Sequence, residues 1–306
     1  MFTGKHAESQ SGWTAFGIIV MLLGILTAWT AFGTKESESA LRSKAQKNGN
    51  PLEAFKALFQ NDQLLWVALS YLLYAIANVA TTGVLIFPFK FVLDNQAVYS
   101  ATGVIALVAG LIMAPLYPIL NKRIPRRYLY IGGMISMIAG YILLGIFANN
   151  MIMVFVALVL FYVPGTLIQM TAILPLTDSI EYGQLKNGKR NEAVTLSVRP
   201  MLDKIGGAMS NGIVGFIAIA AGMTGDATAA DMTAANINTF KTCAFYVPLA
   251  LIVLSLLVFM FKVKINEKMH AEIVEQLEAK LAVGEIPDEE VKTVETVEAS
   301  TRRPRF

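Results

Sequence analysis

The sequence predicts an all-α membrane protein with about seven transmembrane helices. Of its 306 residues, 55% are hydrophobic and 15% charged, with a mean hydropathy of +0.55. Soluble domains carry about 25% charged residues. The apolar residues fall in seven runs near or above the ~20 residues that a spanning helix needs. The basic residues gather in alternate connections between those runs.

The runs are Trp13–Phe32, Leu64–Val92, Val98–Leu120, Tyr128–Ala148, Ile152–Leu176, Ala193–Met223 and Thr242–Val263. The leading MFTGKHAESQSG is short and polar, with no apolar core, so it does not read as a signal peptide. The connection 34–63 carries Lys35, Arg42, Lys44, Lys47 and Lys56. The connection 121–127 carries Lys122, Arg123, Arg126 and Arg127, and 177–192 carries Lys186, Lys189 and Arg190. The intervening connections 93–97, 149–151 and 224–239 are poor in Lys and Arg. The positive-inside rule therefore places the basic connections and the C-terminus in the cytoplasm and the N-terminus outside a plasma membrane.

One run, a long basic connection and six further runs match a known plan. It is that of a transporter made of two six-helix halves joined by a cytoplasmic loop. The expected organisation is the last helix of a first half (1–33), a central loop (34–63) and a six-helix bundle (64–263). A cytoplasmic amphipathic helix (264–283) and a disordered linker or truncated tail (284–306) complete it. On this plan about five helices would precede the chain, and the abrupt TRRPRF end reads as a truncation scar. Within the loop, Leu52, Phe55, Leu58 and Phe59 fall at helical spacing, as in a helix lying on the inner membrane surface.

Prolines 88, 115, 118, 164, 175, 200 and 248 lie in the runs. Membrane helices tolerate them where neighbours satisfy the freed carbonyls. Gly206, Gly207, Ala208, Ser210, Gly212 and Gly215 form a small-residue face of the kind that lets helices approach closely. After the last run, Met269, Ile273, Leu277 and Leu281 recur every four residues among charges, which predicts an amphipathic helix. Cys243 is the one cysteine, which excludes an internal disulfide or a zinc cluster. His6 and His270 lie outside the apolar runs, which argues against histidine-based metal chemistry. Nothing in the pattern suggests nucleic-acid binding, a cofactor or enzymatic catalysis.

The segment Thr177–Gly207 stands apart, because dense charge runs into an apolar span and continues inside it. Asp178, Glu181, Lys186, Lys189, Arg190 and Glu192 are expected in a cytoplasmic connection. Either they are simply solvated, or they form ion pairs that make and break between conformations. Exposed pairs of this kind are worth about 0–1 kcal/mol each. Arg199, Asp203 and Lys204 lie inside the span, where an ionisable group costs about 2.5–3.5 kcal/mol even on the gentler scale. Arg199 and Asp203 are four apart and can pair on one helix face. Lys204 points elsewhere and needs another partner or a polar cavity. Pro200 beside them is expected to weaken the helix. Gln169, polar in an apolar run, suits either substrate binding or a hydrogen bond to a neighbouring helix.

Asp178, Glu181, Tyr182, Gly183, Lys186, Arg190 and Glu192 fit the pattern D-x-x-(D/E)-Y-G-(x)2-K-(x)3-R-x-E, continued by Ser197, Val198, Lys204, Gly206 and Gly207. This resembles the glycoside–pentoside–hexuronide:cation symporters of the major facilitator superfamily. The segments EYGQLKNG, EAVTLSVRP, DKIGGA and HAEIVEQLE resemble in particular the lactose permeases of lactic acid bacteria. The resemblance runs from about residue 11 to 281. It implies a twelve-helix fold, a galactoside held at the midplane between two halves, and uptake coupled to H⁺ or Na⁺. It also implies coupling or gating by Asp178, Glu181, Tyr182, Lys186, Arg190 and Glu192. Substrate binding would fall to Arg199, Asp203 and Lys204. Gln169 falls where a related melibiose permease has a cavity-lining tryptophan, and Lys189 where close relatives can have a histidine. The family's acidic cation site and main sugar-binding residues lie on early helices of the first half, of which this chain carries one helix. The partners implied are a galactoside, a coupling cation, the lipid bilayer and a separate N-terminal half. The alternative is a seven-helix receptor-like or partner-recruiting membrane protein without transport.

Overall fold

The computed structural model describes residues 10–31, 56, 59–188, 190–225 and 227–282. The expected surface helix of the central connection, Lys189 and the acidic tail lie outside the described residues, apart from isolated positions at the end of that connection. The chain divides into two units, one of residues 1–50 with 288–306 and one of 51–287.

The first unit contributes α1, Gln10–Ala31, which contains no charged residue. Its Thr27 and Thr30 hydroxyls return to the carbonyls of Leu23 and Thr27, so the polar groups are satisfied within the helix.

The second unit is a helical bundle: α2 (Asp62–Val84), α3 (Ser100–Arg123), α4 (Arg126–Phe147), α5 (Met151–Asn187), α6 (Glu192–Ala220), α7 (Ala234–Lys262) and α8 (Glu267–Ala282). The described residues form no strand. Helices α2 through α5 and α7 are long and apolar enough to cross a membrane. Helix α6 matches them in length, but it carries Glu192, Arg199, Asp203 and Lys204.

Helix α2 is the hub, packed against α6 on one side and α7 on the other, while α4 lies along α5 and α3 leans on α5. The α2–α7 seam holds polar groups that would cost several kcal/mol unpaired in hydrocarbon. Ser70 Oγ donates to the Ser255 carbonyl at 3.0 Å, Ser255 Oγ donates to the Ser70 carbonyl at 2.6 Å, and the Tyr130 hydroxyl lies 3.1 Å from Ser70. The Tyr130 ring stacks on Phe259 with centroids 4.0 Å apart, so α4 joins the same seam. Tyr141 and Phe161 meet edge to face across α4 and α5. On α3, Val104, Leu107, Leu111 and Ile119 point outward, which suits a helix facing lipid.

Two prolines set local geometry. A wide π-turn opens on Pro88 and runs to Val92; another, Thr242–Tyr246, precedes Pro248 in α7. Proline has no N–H to donate one turn back, and π-turns are a common adjustment around such a gap. Of the small residues expected to pack closely, Gly206 and Ser210 are buried, and Gly206 lies against Ala75 of α2, whereas Gly207, Gly212 and Gly215 face open space. Helix α8 lies on α5 and buries Ile273 and Leu277.

Helix α5 corrects the expectation that Thr177–Glu192 is a connection. The helix runs 37 residues without a break through Pro164 and Pro175 to Asn187. Asp178, Glu181, Tyr182 and Lys186 are therefore helical. The stop is Gly188, whose φ of 71° is a left-handed conformation that glycine adopts without steric cost.

Candidate functional site

Two groups of polar side chains sit on this frame. The first joins α2, α5 and α6. Tyr71 and Tyr74 stand three residues apart on α2, so both project toward the same side, with ring centroids 5.9 Å apart. The Tyr71 hydroxyl donates to Asp203 Oδ1 on α6 at 2.7 Å. The Arg199 guanidinium lies 5.6 Å from the centre of the same ring. Tyr74 donates to the Gly165 carbonyl of α5 at 3.1 Å, and Gln169, one turn further on, reaches the same hydroxyl. The structure thus brings Arg199, Asp203 and Gln169 together around a tyrosine pair. Lys204 follows Asp203 on α6 and is exposed; among the described residues it has no acidic partner.

Three expectations change here. Among the described residues, Arg199 and Asp203 form no direct ion pair; both engage Tyr71, which offers a hydrogen-bond donor to the carboxylate and a π-face to the cation. Asp203 and Lys204 are exposed on the bundle rather than buried within it, and Arg199 is half-buried. Helix α6 also continues through Pro200. Tyr71 and Tyr74 were not singled out from sequence, although their i, i+3 spacing in an apolar run is a legible signal.

The second group surrounds the far end of α5. Arg126, the first residue of α4, forms a direct ion pair with Asp178, with side chains only 8% and 9% exposed. The Arg126 backbone N–H donates to Glu267 Oε1 of α8 at 2.8 Å, and its Nε lies 3.7 Å from the same oxygen. His270 Nε2 stands 3.7 Å from both Asp178 Oδ1 and Glu181 Oε2. Arg190 spans Glu181 at 3.1 Å, Glu192 at 3.2 Å and the Gln184 amide oxygen at 3.2 Å. The ends of α4, α5 and α6 and the start of α8 are joined by this network.

A third contact ties α2 to the same end. Lys186 pairs with Asp62, which also accepts from the Tyr182 hydroxyl at 2.9 Å. Asn61 caps α2 by accepting the Leu64 N–H at 3.0 Å, while its Nδ2 donates to the Ser179 carbonyl at 2.7 Å. A Cβ on Gly183 would fall 2.7 Å from that nitrogen, so the approach of Asn61 to α5 requires glycine there. Gln63 Oε1 accepts the Lys264 N–H at 2.8 Å and fastens the end of α7.

The six residues expected to couple or gate are thus all held by partners within the chain. Their partners outside the set, Arg126, Asp62 and His270, escaped the sequence reading. Arg126 appeared there only as loop charge, and His270 was set aside because it lies outside the apolar runs. Chemically, the first group offers a carboxylate, cations, an amide and aromatic faces, a set suited to a polyhydroxylated ligand. The second group offers ion pairs that link helix ends.

A family model described as "MFS/sugar transport protein" matches residues 1–267. The chain is 52% identical over 283 residues to a lactose permease of Leuconostoc lactis, covering 92% of this chain and 44% of that one. It is 49% identical over 285 residues to a lactose permease of Lactobacillus helveticus, covering 93% and 44%. It is 38% identical over 280 residues to a raffinose carrier protein of Pediococcus pentosaceus, covering 90% and 44%. The chain therefore spans less than half the length of these relatives.

Proposed function

The chain belongs to the MFS/sugar transport protein family, and from that membership we propose that its bundle α2–α7 works as one half of a sugar:cation symporter operating by alternating access. It is a multi-pass membrane protein. The substrate we assign is a galactoside, lactose first, because two of its relatives are named lactose permeases and match over about nine tenths of this chain. The complementary half would supply the opposite wall of the sugar cavity, and the coupling ion is H⁺ or Na⁺. A receptor-like or partner-recruiting role has no support among the relatives.

The observation that carries this reading is the polar face around Tyr71 and Tyr74. Arg199 and Asp203 of α6 and Gln169 of α5 gather there, and Lys204 is exposed beside them. In hydrocarbon, exposed Asp203 and Lys204 would each carry a cost of about 2.5–3.5 kcal/mol. Facing a polar cavity closed by a second half, they would not. Asp203 then accepts from sugar hydroxyls, and Lys204, Arg199 and Gln169 donate to them. At the other end, the networks of Asp178, Glu181, Arg190 and Glu192 and of Tyr182 and Lys186 form a gate that holds one conformation. That end also carries Lys122, Arg123, Arg127, Lys262 and Lys264, which supports a cytoplasmic orientation for it. The N-terminus is then outside and the C-terminus inside the plasma membrane.

Lactose counterflow into vesicles tests the proposal, with the chain inserted alone or together with the first six helices of the Leuconostoc lactis relative. Counterflow from the pair that is lost with Lys204→Ala is the expected result. No counterflow from a correctly inserted pair would overturn the sugar assignment, and equal counterflow from the chain alone would overturn the half-transporter reading.

A further inference from the structure

Between the α3–α4 hairpin and the start of α8 lies an open cleft of about 790 Å³. It is set apart from the tyrosine-centred face and borders the ion-pair network through Glu267. Lys122, Arg123, Arg127 and Lys268 line it. Its one carboxylate, Glu267, is already engaged by the Arg126 backbone N–H and faces the Arg126 guanidinium. Among the described residues Lys122 and Arg123 have no acidic partner, and Arg127 spends one N–H on the Met260 carbonyl at 2.8 Å. Lys268 has only a 4.0 Å approach to exposed Glu272. The cleft also lies at the first turns of α4 and α8, whose dipoles add positive potential. Asn121 also lines it, and among the described residues its buried amide oxygen has no hydrogen-bond partner.

We propose that this cleft is a seat for the phosphate headgroup of an anionic phospholipid of the inner leaflet. The occupant is argued from the rim. Tyr128 in the lining is 66% exposed, Ile124 between Arg123 and Pro125 is 38% exposed, and Phe261, next to the Met260 whose carbonyl holds Arg127, is 71% exposed. Isoleucine and phenylalanine on the outer surface of a spanning bundle face acyl chains, and tyrosine prefers the level of the headgroups. A soluble anion has no use for such a border, whereas a lipid meets both parts at once. Basic pockets between helices at the cytoplasmic face are suited to anionic headgroups. A bound lipid would bridge α3, α4 and α8, and so hold the amphipathic helix against the bundle.

The test uses the purified full chain, stripped of lipid and titrated with phosphatidylglycerol, phosphatidylcholine or inorganic phosphate, with bound species counted by native mass spectrometry. Phosphatidylglycerol should bind in preference to phosphatidylcholine. A Lys122→Gln/Arg123→Gln variant should lose roughly 25-fold in affinity, since each basic side chain near an anionic lipid surface contributes about a fivefold factor. Lys90→Gln/Lys241→Gln, at the other end of the bundle, should bind normally. Equal retention of phosphatidylcholine, unchanged binding by the first variant, or an equal loss in the second would overturn the proposal. Displacement of phosphatidylglycerol by inorganic phosphate would do so as well, by marking a site for a free anion.

Discussion

Tyr71 on α2 and Asp203 on α6, 132 residues apart in sequence, share a 2.7 Å hydrogen bond. The same tyrosine ring lies under the Arg199 guanidinium. One buried aromatic side chain therefore positions both members of the charge pair that α6 presents.

Tyr71→Phe keeps the ring beneath Arg199 and removes the bond to Asp203. The expected loss of stability is about 1 kcal/mol, read as a shift in thermal unfolding in detergent. Galactoside affinity of the assembled transporter should fall by more than that stability loss implies, because the carboxylate is no longer aimed. An unchanged affinity would remove Asp203 from the binding face.

Lys204→Ala should abolish lactose counterflow while leaving stability within about 0.5 kcal/mol, the usual range for an exposed substitution. Lys204→Arg, which keeps the charge on a different headgroup, separates a requirement for charge from one for ammonium geometry. A melting shift as large as the flux loss would mean that Lys204 is structural.

Arg126→Met or Asp178→Leu leaves one buried partner unpaired and should cost about 3–5 kcal/mol. The double variant Arg126→Met/Asp178→Leu should recover much of that loss, because no uncompensated charge remains. A double-mutant cycle on unfolding temperature measures the coupling. Additive single effects would contradict the pairing.

Gly183→Ala should destabilise the junction of α2 and α5 by about 1–3 kcal/mol through overpacking. Asn61 cannot retreat without releasing both the Ser179 carbonyl and the Leu64 N–H. Adding Asn61→Ala removes the clash, so the second substitution should then cost less in this background than in the parent. Protease sensitivity near residue 61 provides the readout.

Lys186→Gln breaks a pair whose side chains are both 45% exposed, and it should change stability by no more than about 1 kcal/mol. A change in counterflow rate without a matching change in stability would support a gating role. Identical rates would assign the pair to the surface only.

The helices were legible because lipid imposes length and apolarity; each of the seven apolar runs has its helix. The end of α5 was not legible. A run containing Asp178, Glu181 and Lys186 looks like solvated loop until Arg126, His270 and Asp62 are brought beside it, and those lie tens of residues away. The role of Asn61 and Gln63 was hidden for the same reason, since their partners Ser179 and Lys264 are 118 and 201 residues distant. The Arg199–Asp203 pair illustrates a different limit. Helical spacing shows which side chains are able to meet, but not that a tyrosine from another helix stands between them. Gln169 was legible as a polar residue out of place, and its neighbour Tyr74 was not.

The unbroken length of α5 has a mechanical consequence. At 1.5 Å per residue its 37 residues extend about 55 Å, against about 30 Å of hydrocarbon. From Pro175 to Asn187 the helix forms a lever arm of about 18 Å. A tilt of about 15° about that proline would sweep its tip through roughly 5 Å. That exceeds the reach of a hydrogen bond, so a small rotation within the bilayer would part Lys186 from Asp62. The stroke of the proposed gate is set by the length of one helix rather than by the reach of its side chains.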